Sequence, residues 1–335
     1  MGSRVIQVAL GLFLATFVYA LLVLSGVDAN QENGVPQIST VLTMALAVAS
    51  FGWLIYFIHS LAAGIQVDNV IAEVAAEVTK EVRRLGTRGL AQESRDESTA
   101  PDLEGRQPTL EVGAAASGYL QTLDAEGLVE VAAEADLLLE VLVRPGHFVL
   151  QDLTLVRVYG EVADAAALAR RIRGLMVLGP RRTAAQDVEF SLNLLVEIAA
   201  RALSPGVNDY YTALACVDHI AAALAALTRT GVPAAVRADG DGQVRVLLLV
   251  PSFSDFADAA LDPLRQCARD NLPVSIRLLE NLRMLAQCAR DPEVHQALLR
   301  HGTLIADNAL AAARADKDRE DVAERLADLQ AVLET

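Results

Sequence analysis

Two long uncharged apolar runs near the amino end constrain this chain more than any other feature. From Val5 to Val27 it reads VIQVALGLFLATFVYALLVLSGV, and from Ile38 to Ala63 it reads ISTVLTMALAVASFGWLIYFIHSLAA. A helix of about 20 apolar residues crosses a hydrocarbon core, so each run is long enough to span. The connection DANQENGVPQ holds Asp28, Glu32, Gly34 and Pro36, the turn chemistry expected at the polar end of a helical hairpin. Lys and Arg are missing from that connection but flank the pair, with Arg4 before it and Lys80, Arg83 and Arg84 after it. The positive-inside rule then predicts a two-pass inner-membrane protein with both termini cytoplasmic and the lipid bilayer as its first partner. A cleaved signal peptide is the competing reading, since Val27-Asp28-Ala29 has small residues at cleavage-site spacing. Against it, the run exceeds the usual apolar core of about 7 to 15 residues and Arg4 alone precedes it. Gly11, Ala15, Ala45 and Ala49 have the spacing that lets helices approach closely in lipid, or are ordinary small-residue content. His59 either lines an aqueous path or meets headgroups.

Beyond residue 63 the chain is water-compatible. The first 63 residues hold only Arg4, Asp28 and Glu32 as charges, out of 28 basic and 43 acidic side chains in the 335-residue sequence. A hydrophobic content of 53% excludes a disordered polyelectrolyte, and a formal net charge of −15 argues against a nucleic-acid partner. Cys216, Cys267 and Cys288 are widely spaced, which fits reduced thiols rather than a disulfide framework.

The fold class expected is a membrane α-helical hairpin carrying a cytoplasmic α+β body. Residues 1–63 form the hairpin. Residues 64–85 form an amphipathic stalk helix with Ile65, Val67, Val70, Ile71, Val74, Val78, Val82 and Leu85 on one stripe. Residues 86–111, rich in Gly, Pro, Ser and acids, are a flexible linker. Residues 112–160 are a small β-rich module with a short helix capped by Asp124 and a turn at Arg144-Pro145-Gly146, where Gly146 takes positive φ. Residues 161–335 are mostly helical with one β-hairpin at Asp239-Gly240-Asp241-Gly242. That repeat is no calcium loop, because Gln243 and Val250 occupy ligand positions. Helices follow from about Asp255, Ser275, Gly302 and Asp318, with Pro251, Pro263, Pro273 and Pro292 as boundary or first-turn residues.

One segment, 179–213, holds more polar chemistry than packing requires. Thr183 and Gln186 match a capping box, so a helix is expected to begin there with Arg181 and Arg182 just outside it. At 100° per residue, Gln186, Glu189, Asn193, Glu197, Arg201 and Ser204 share about a 120° arc of that helix. It breaks at Ser204-Pro205-Gly206, and Asn208 or Asp209 caps the next. Three readings stay open for the stripe. It is a solvated face with a Glu197–Arg201 pair, a buried ion-pair network joining Arg181 or Arg182 to Glu189 or Glu197, or a ligand or ion site at the SPGVND break with oxygens from Asp187, Asn208 and Asp209. No GxxxxGK[ST], GxGxxG, GxSxG or HExxH motif occurs, and the five histidines do not cluster with cysteines. No catalytic residue, cofactor or metal is therefore assigned.

The order of motifs GLFLATFVYALLVL, LIYFIHSLAAGIQVDNVI, SGYLQTLD, RPGHFV, RRTAAQDVEF and LVEIAARALSPGVNDYYTA resembles the bacterial predicted membrane protein family called domain of unknown function 2254. The resemblance implies an integral membrane protein without an assigned activity. Family members usually carry a further pair of membrane helices ahead of the position of Val5. His147 stands where the family usually has Asp after Arg-Pro-Gly, and Tyr210 replaces a frequent Pro after Asn208-Asp209. These substitutions count against a carboxylate-dependent role for the turn. The expectation is a non-enzymatic homo-oligomer, channel-like or transport-related. The alternative is a membrane-tethered sensor or scaffold whose cytoplasmic domain binds a small ligand or protein partner.

Overall fold

The computed structural model describes residues 2–25, 37–64, 67–90 and 101–334, with the backbone alone for 2–10, 37, 56–64, 67–68 and 85–90. The hairpin turn, the His59 side chain and residues 91–100 of the expected linker lie outside the described residues. The chain forms two compact units, one through Val70 and one from Ile71.

The first unit contains α1 (Gly2–Ser25) and α2 (Gln37–Gly64). Neither helix has an acidic first turn or a basic last turn, so nothing but apolar patterning and length defines them. Leu12, Thr16, Tyr19, Ala20 and Val23 on α1, and Ser39, Thr43, Leu46, Ser50, Trp53 and Leu54 on α2, are the shielded positions, recurring mostly three and four apart. The Thr16 and Ser50 hydroxyls share a 2.8 Å hydrogen bond across the pair. Gly11, Ala15, Ala45 and Ala49 are all exposed, so they do not form the α1–α2 contact, in which the Thr16–Ser50 pair lies among apolar side chains. The remaining surface is almost wholly apolar, with Leu14, Phe17, Leu22, Ile38, Met44 and Phe51 exposed. An exposed apolar surface of this kind marks a membrane or protein interaction site.

From Ile71 onward, α3 (Val67–Leu90) turns Ile71, Val78 and Val82 into a helical core with Val74 packed against it, so this part of the stripe expected on a stalk packs into the body, while Val70 is exposed. The chain then builds β1 (Leu110–Gly113), β2 (Gly118–Leu123), α4 (Ala125–Glu134), β3 (Leu138–Val141), β4 (Phe148–Val149), β5 (Thr154–Tyr159), α5 (Ala165–Gly174) and β6 (Met176–Gly179). It continues with α6 (Val188–Ala202), α7 (Tyr210–Thr230), β7 (Val236–Ala238) and β8 (Val244–Leu248). Four helices close it: α8 (Phe253–Ala268), α9 (Leu272–Cys288), α10 (Pro292–Ala312) and α11 (Asp316–Leu333).

Five strands form one sheet in the order β1-β5-β3-β8-β7, and β4-β2-β6 form another. All pairs are antiparallel except β3 with β8, which brings the late hairpin into the sheet of the β-rich module. Alternation along the strands explains the two faces. Leu139, Val141, Val156, Val158 and Val246 bury against α4 and α5 through Leu128, Ala132, Leu168 and Ile172. On the other face Glu111, Arg157 and Glu140 fall in cross-strand register and pair at 3.5 Å on each side of the arginine. A second core, formed by α3 and α6 to α11, is helical throughout. The helix α7 is apolar and long enough to cross a membrane, but its Ala213, Cys216, Val217, Ile220 and Leu224 face inward, so its apolarity belongs to this core.

Asp124, Asp164, Asp187, Asp209, Ser252, Asn271 and Asp291 each cap a helix by accepting a backbone N–H. Gly146 takes φ 95° in the Arg-Pro-Gly turn, as expected. Two boundary expectations are corrected. Pro263 lies inside α8, carried there because Ala260, Leu261 and Leu264 around it are buried. Gly302 lies inside α10, where a Cβ would strike the Leu329 side chain, so this glycine lets α11 approach rather than starting a helix.

Candidate functional site

The helix expected to start at Thr183 starts at Val188 instead. Asp187 is its N-cap, accepting from the Phe190 N–H at 2.9 Å, and the Thr183 hydroxyl is buried with no hydrogen-bond partner. Gln186, the other half of the supposed capping box, mimics a strand: its amide oxygen accepts from the Leu123 N–H at 2.9 Å and its amide nitrogen donates to the Leu123 carbonyl at 3.2 Å. Beside it Gln121 donates to the Arg181 carbonyl at 2.7 Å. The 180–187 loop is thereby fastened to the end of β2.

That fastening sets Arg182 and Asp187 face to face. Arg182 Nε and Nη2 donate to Asp187 Oδ2 and Oδ1 at 2.8 and 2.9 Å, a bidentate pair whose carboxylate is buried. The same guanidinium lies 3.6 Å from a Glu189 oxygen and 5.6 Å from the Phe190 ring centroid. From the β3–β4 turn, Arg144 Nη2 donates to Glu189 at 2.8 Å and Arg144 Nε donates to His147 Nε2 at 3.1 Å. Gly146 must be glycine, because a Cβ there would overlap the Asp187 carboxylate. Burial works against the charge on Arg182, but the hydrogen bonds and charges of Asp187 and Glu189 outweigh it and hold its pKa above the ordinary arginine value. Burial, reinforced by Arg144, pushes the His147 pKa below the ordinary histidine value, with Glu189 and Asp187 opposing. Accepting from Arg144 at Nε2, a neutral His147 carries its proton on Nδ1.

The stripe divides along its length. Glu189 belongs to the buried network, Asn193 is half-buried, and Glu197 pairs with Arg201 on an exposed face. Ser204 donates to the Arg201 carbonyl, closing α6. Asn208 is exposed at φ 49°, and Asp209 caps α7, its carboxyl held below the usual range by hydrogen bonds from Thr212. Asp187 and the Asn208-Asp209 pair occupy opposite ends of the 15-residue α6, about 20 Å apart at 1.5 Å per residue, so they share no ion. Arg181 is exposed. Among the described residues, no group of three or more His, Cys, Asp or Glu side chains has metal-binding geometry.

The network forms one rim of a cleft of about 790 Å³. Its walls come from the start of α4, the Arg-Pro-Gly turn, the start of α6, strand β7, the end of β8 and α8. Gln186, Asp187 and Glu189 line it from the expected set. Arg144, Glu126 and Arg237 also line it and were absent from that set. Arg237, on the short β7, is only 7% exposed, and burial lowers its pKa despite attraction from Glu126. The apolar lining includes Leu175, Val177, Leu249, Pro251 and Phe256. A charged residue buried in a short strand was the signal open to sequence reading, but which wall it faces depends on the sheet order.

The described residues thus comprise an apolar helix pair and a mixed α+β body with a cleft. The chain belongs to the family described as predicted membrane protein (DUF2254), whose model matches residues 1–284. It is similar to an uncharacterized protein of Mycobacterium tuberculosis (strain ATCC 25618 / H37Rv) and to one of Mycobacterium bovis (strain ATCC BAA-935 / AF2122/97). Each is 31% identical over 298 residues, covering 85% of this chain and 56% of the relative. The chain thus spans just over half the length of these relatives. No solved structure matches it.

Proposed function

We propose that this protein is a two-pass inner-membrane anchor, both termini cytoplasmic, whose body is a non-enzymatic sensor module binding a small molecule in the cleft beside α6. The observation that carries the reading is the cleft itself: residues from β2, α4, the Arg-Pro-Gly turn, α5, β6, α6, β7, β8 and α8 line one space, and an ion-pair network fixes one rim. Pockets of several hundred Å³ with an apolar lining and a few placed polar groups are the usual form of small-ligand sites. The ligand position shifts from the SPGVND break, one of the three readings left open by the sequence, to the opposite end of α6.

A homo-oligomeric channel has less support. The described exposed side chains of α1 and α2 are apolar except for Ser25 and Thr40, and Thr16 and Ser50 turn inward between the helices, which leaves little to line a water path. The test is a thermal-shift screen of full-length protein in nanodiscs against a panel of soluble metabolites. The reading predicts a compound that raises Tm for the unaltered protein and not for Val177→Trp, which fills the cleft from a half-exposed position. No shift from any compound, or a shift that survives Val177→Trp, contradicts it.

A further inference from the structure

Between Asp164 and Asp187 the chain holds five arginines, Arg170, Arg171, Arg173, Arg181 and Arg182, and no acid, although the whole sequence carries a formal net charge of −15. Two of them are matched: Arg171 pairs with Glu134 and Arg182 with Asp187. Arg170, Arg173 and Arg181 are exposed and form no ion pair among the described residues. The last two are tied to one apolar patch. Arg173 Nε donates to the Gly113 carbonyl at 2.8 Å, and the adjoining Ala114 bonds the backbone of Leu153 and Asp152. The Arg181 carbonyl accepts from Gln121, whose side chain lies over Gly179, the cross-strand partner of Tyr119. Tyr119 packs edge-on against Phe148 at 5.0 Å. Beside this pair Phe148, Leu150 and Leu153 are exposed. Asp152 is the only acid in the stretch 148–153, and the nearby Glu111 is paired with Arg157. The patch therefore joins bare apolar side chains to unpaired guanidinium groups, in a chain of opposite net charge.

We propose that the body docks on an anionic bilayer surface through this patch, with Phe148, Leu150 and Leu153 entering the headgroup layer and Arg173 and Arg181 meeting lipid phosphates. This rests on the anchor reading above and is independent of the cleft. A chain anchored through α2 reaches the core residue Ile71 seven residues after Gly64, so the bilayer is the surface always at hand. Apolar side chains at the headgroup boundary and cations drawn to anionic lipid reinforce one another, each arginine favouring the docked state about fivefold. The guanidinium fork suits phosphate oxygens, while its stem stays against apolar neighbours. A nucleic acid is disfavoured by the overall charge, and a symmetric contact with a second copy would set these arginines against their own counterparts.

The test is tryptophan quenching by spin-labelled lipid in full-length protein carried one copy per nanodisc. Trp53 on α2, the only tryptophan of the chain, reports the anchor in the unaltered protein through lipid labelled at mid-chain. Leu150→Trp combined with Trp53→Phe reports the patch through lipid labelled just below the headgroup, and Leu153→Trp repeats the measurement if Leu150→Trp fails to fold. In discs of phosphatidylcholine with phosphatidylglycerol the new indole should be quenched and its emission shifted to the blue. Pure phosphatidylcholine or high salt should weaken both effects. Adding Arg173→Gln and Arg181→Gln should lower the docked-to-free ratio by about 25-fold, about fivefold for each arginine. Quenching that is absent from anionic discs, or equal in the two bilayers, overturns the docking surface, while a quenched Trp53 leaves the anchor standing. A blue shift without quenching, seen only in discs loaded with two copies, overturns it in favour of a contact between copies. An unquenched Trp53 overturns the anchor and this proposal with it.

Discussion

Gly146 carries a backbone demand and a steric one at the same position. Its φ of 95° lies in the left-handed region, and a Cβ would enter the space of the Asp187 carboxylate. Gly146→Ala should destabilise by more than about 2 kcal/mol, combining backbone strain of roughly 1–2 kcal/mol with disturbance of a buried ion pair. A melting curve of full-length protein in nanodiscs reads this directly, and a loss under about 0.5 kcal/mol would contradict the turn geometry. The histidines give a pH dependence of definite sign. Burial lowers the pKa of His147 and also that of His301, which is fully buried on α10 with Nε2 2.8 Å from Asp258 and Arg300 adding to the depression. The unfolded chain takes up these protons first as pH falls through about 6.5, so stability is intact above that value and is lost below it, toward the folded-state pKa. Tm should fall between pH 7.5 and 5.5, less steeply in His147→Asn and His301→Asn. Equal slopes in all three proteins would refute the assignment. At this scale the positive φ at Gly146 was legible from Pro-Gly order, but its contact with Asp187 was not, because 41 residues separate the two and only the folded loop joins them.

At the level of elements, the start of α6 separates local signal from tertiary context. The Thr183-to-Gln186 spacing matches a capping box, yet Gln186 finds a better partner in the backbone of Leu123, 63 residues away, and Asp187 takes the cap. The true capping box sits at Ser252 and Asp255, where both reciprocal bonds form. The two sites predict opposite outcomes. Ser252→Ala should cost about 1 kcal/mol, whereas Thr183→Val should be neutral or stabilising by up to about 1 kcal/mol, since it removes a buried hydroxyl that has no partner. Thermal denaturation of both variants checks the contrast, and a Thr183→Val loss as large as that of Ser252→Ala would restore the capping role. Periodicity was enough to find the helical cores, because Val217, Ile220 and Leu224 repeat at helical spacing and are buried. It could not find the parallel pairing of β3 with β8, since nothing in either strand encodes a partner about 100 residues distant. Arg144 and Arg237 join one cleft only through that pairing and the adjoining turn, which is why residue spacing missed them.

At the scale of the whole molecule, the two units present different surfaces. The described outer surface of α1 and α2 exposes Leu14, Phe17, Leu22, Met44 and Phe51, while the body buries its apolar side chains in two cores and exposes acids. Membership of a family described as predicted membrane proteins agrees with the first of these surfaces. The three cysteines offer a direct readout. Burial pushes the Cys216 thiol up to about 12, so it should resist alkylation in the folded protein, while Cys267 and Cys288 are exposed and should react. Labelling with a membrane-impermeant maleimide, before and after the inner membrane is opened, tests the proposed anchor and the side on which the body lies. The account predicts a carbonate-resistant membrane-bound chain in which Cys267 and Cys288 are labelled only after opening. Labelling in intact spheroplasts, or recovery of the full chain in the aqueous fraction, would contradict it.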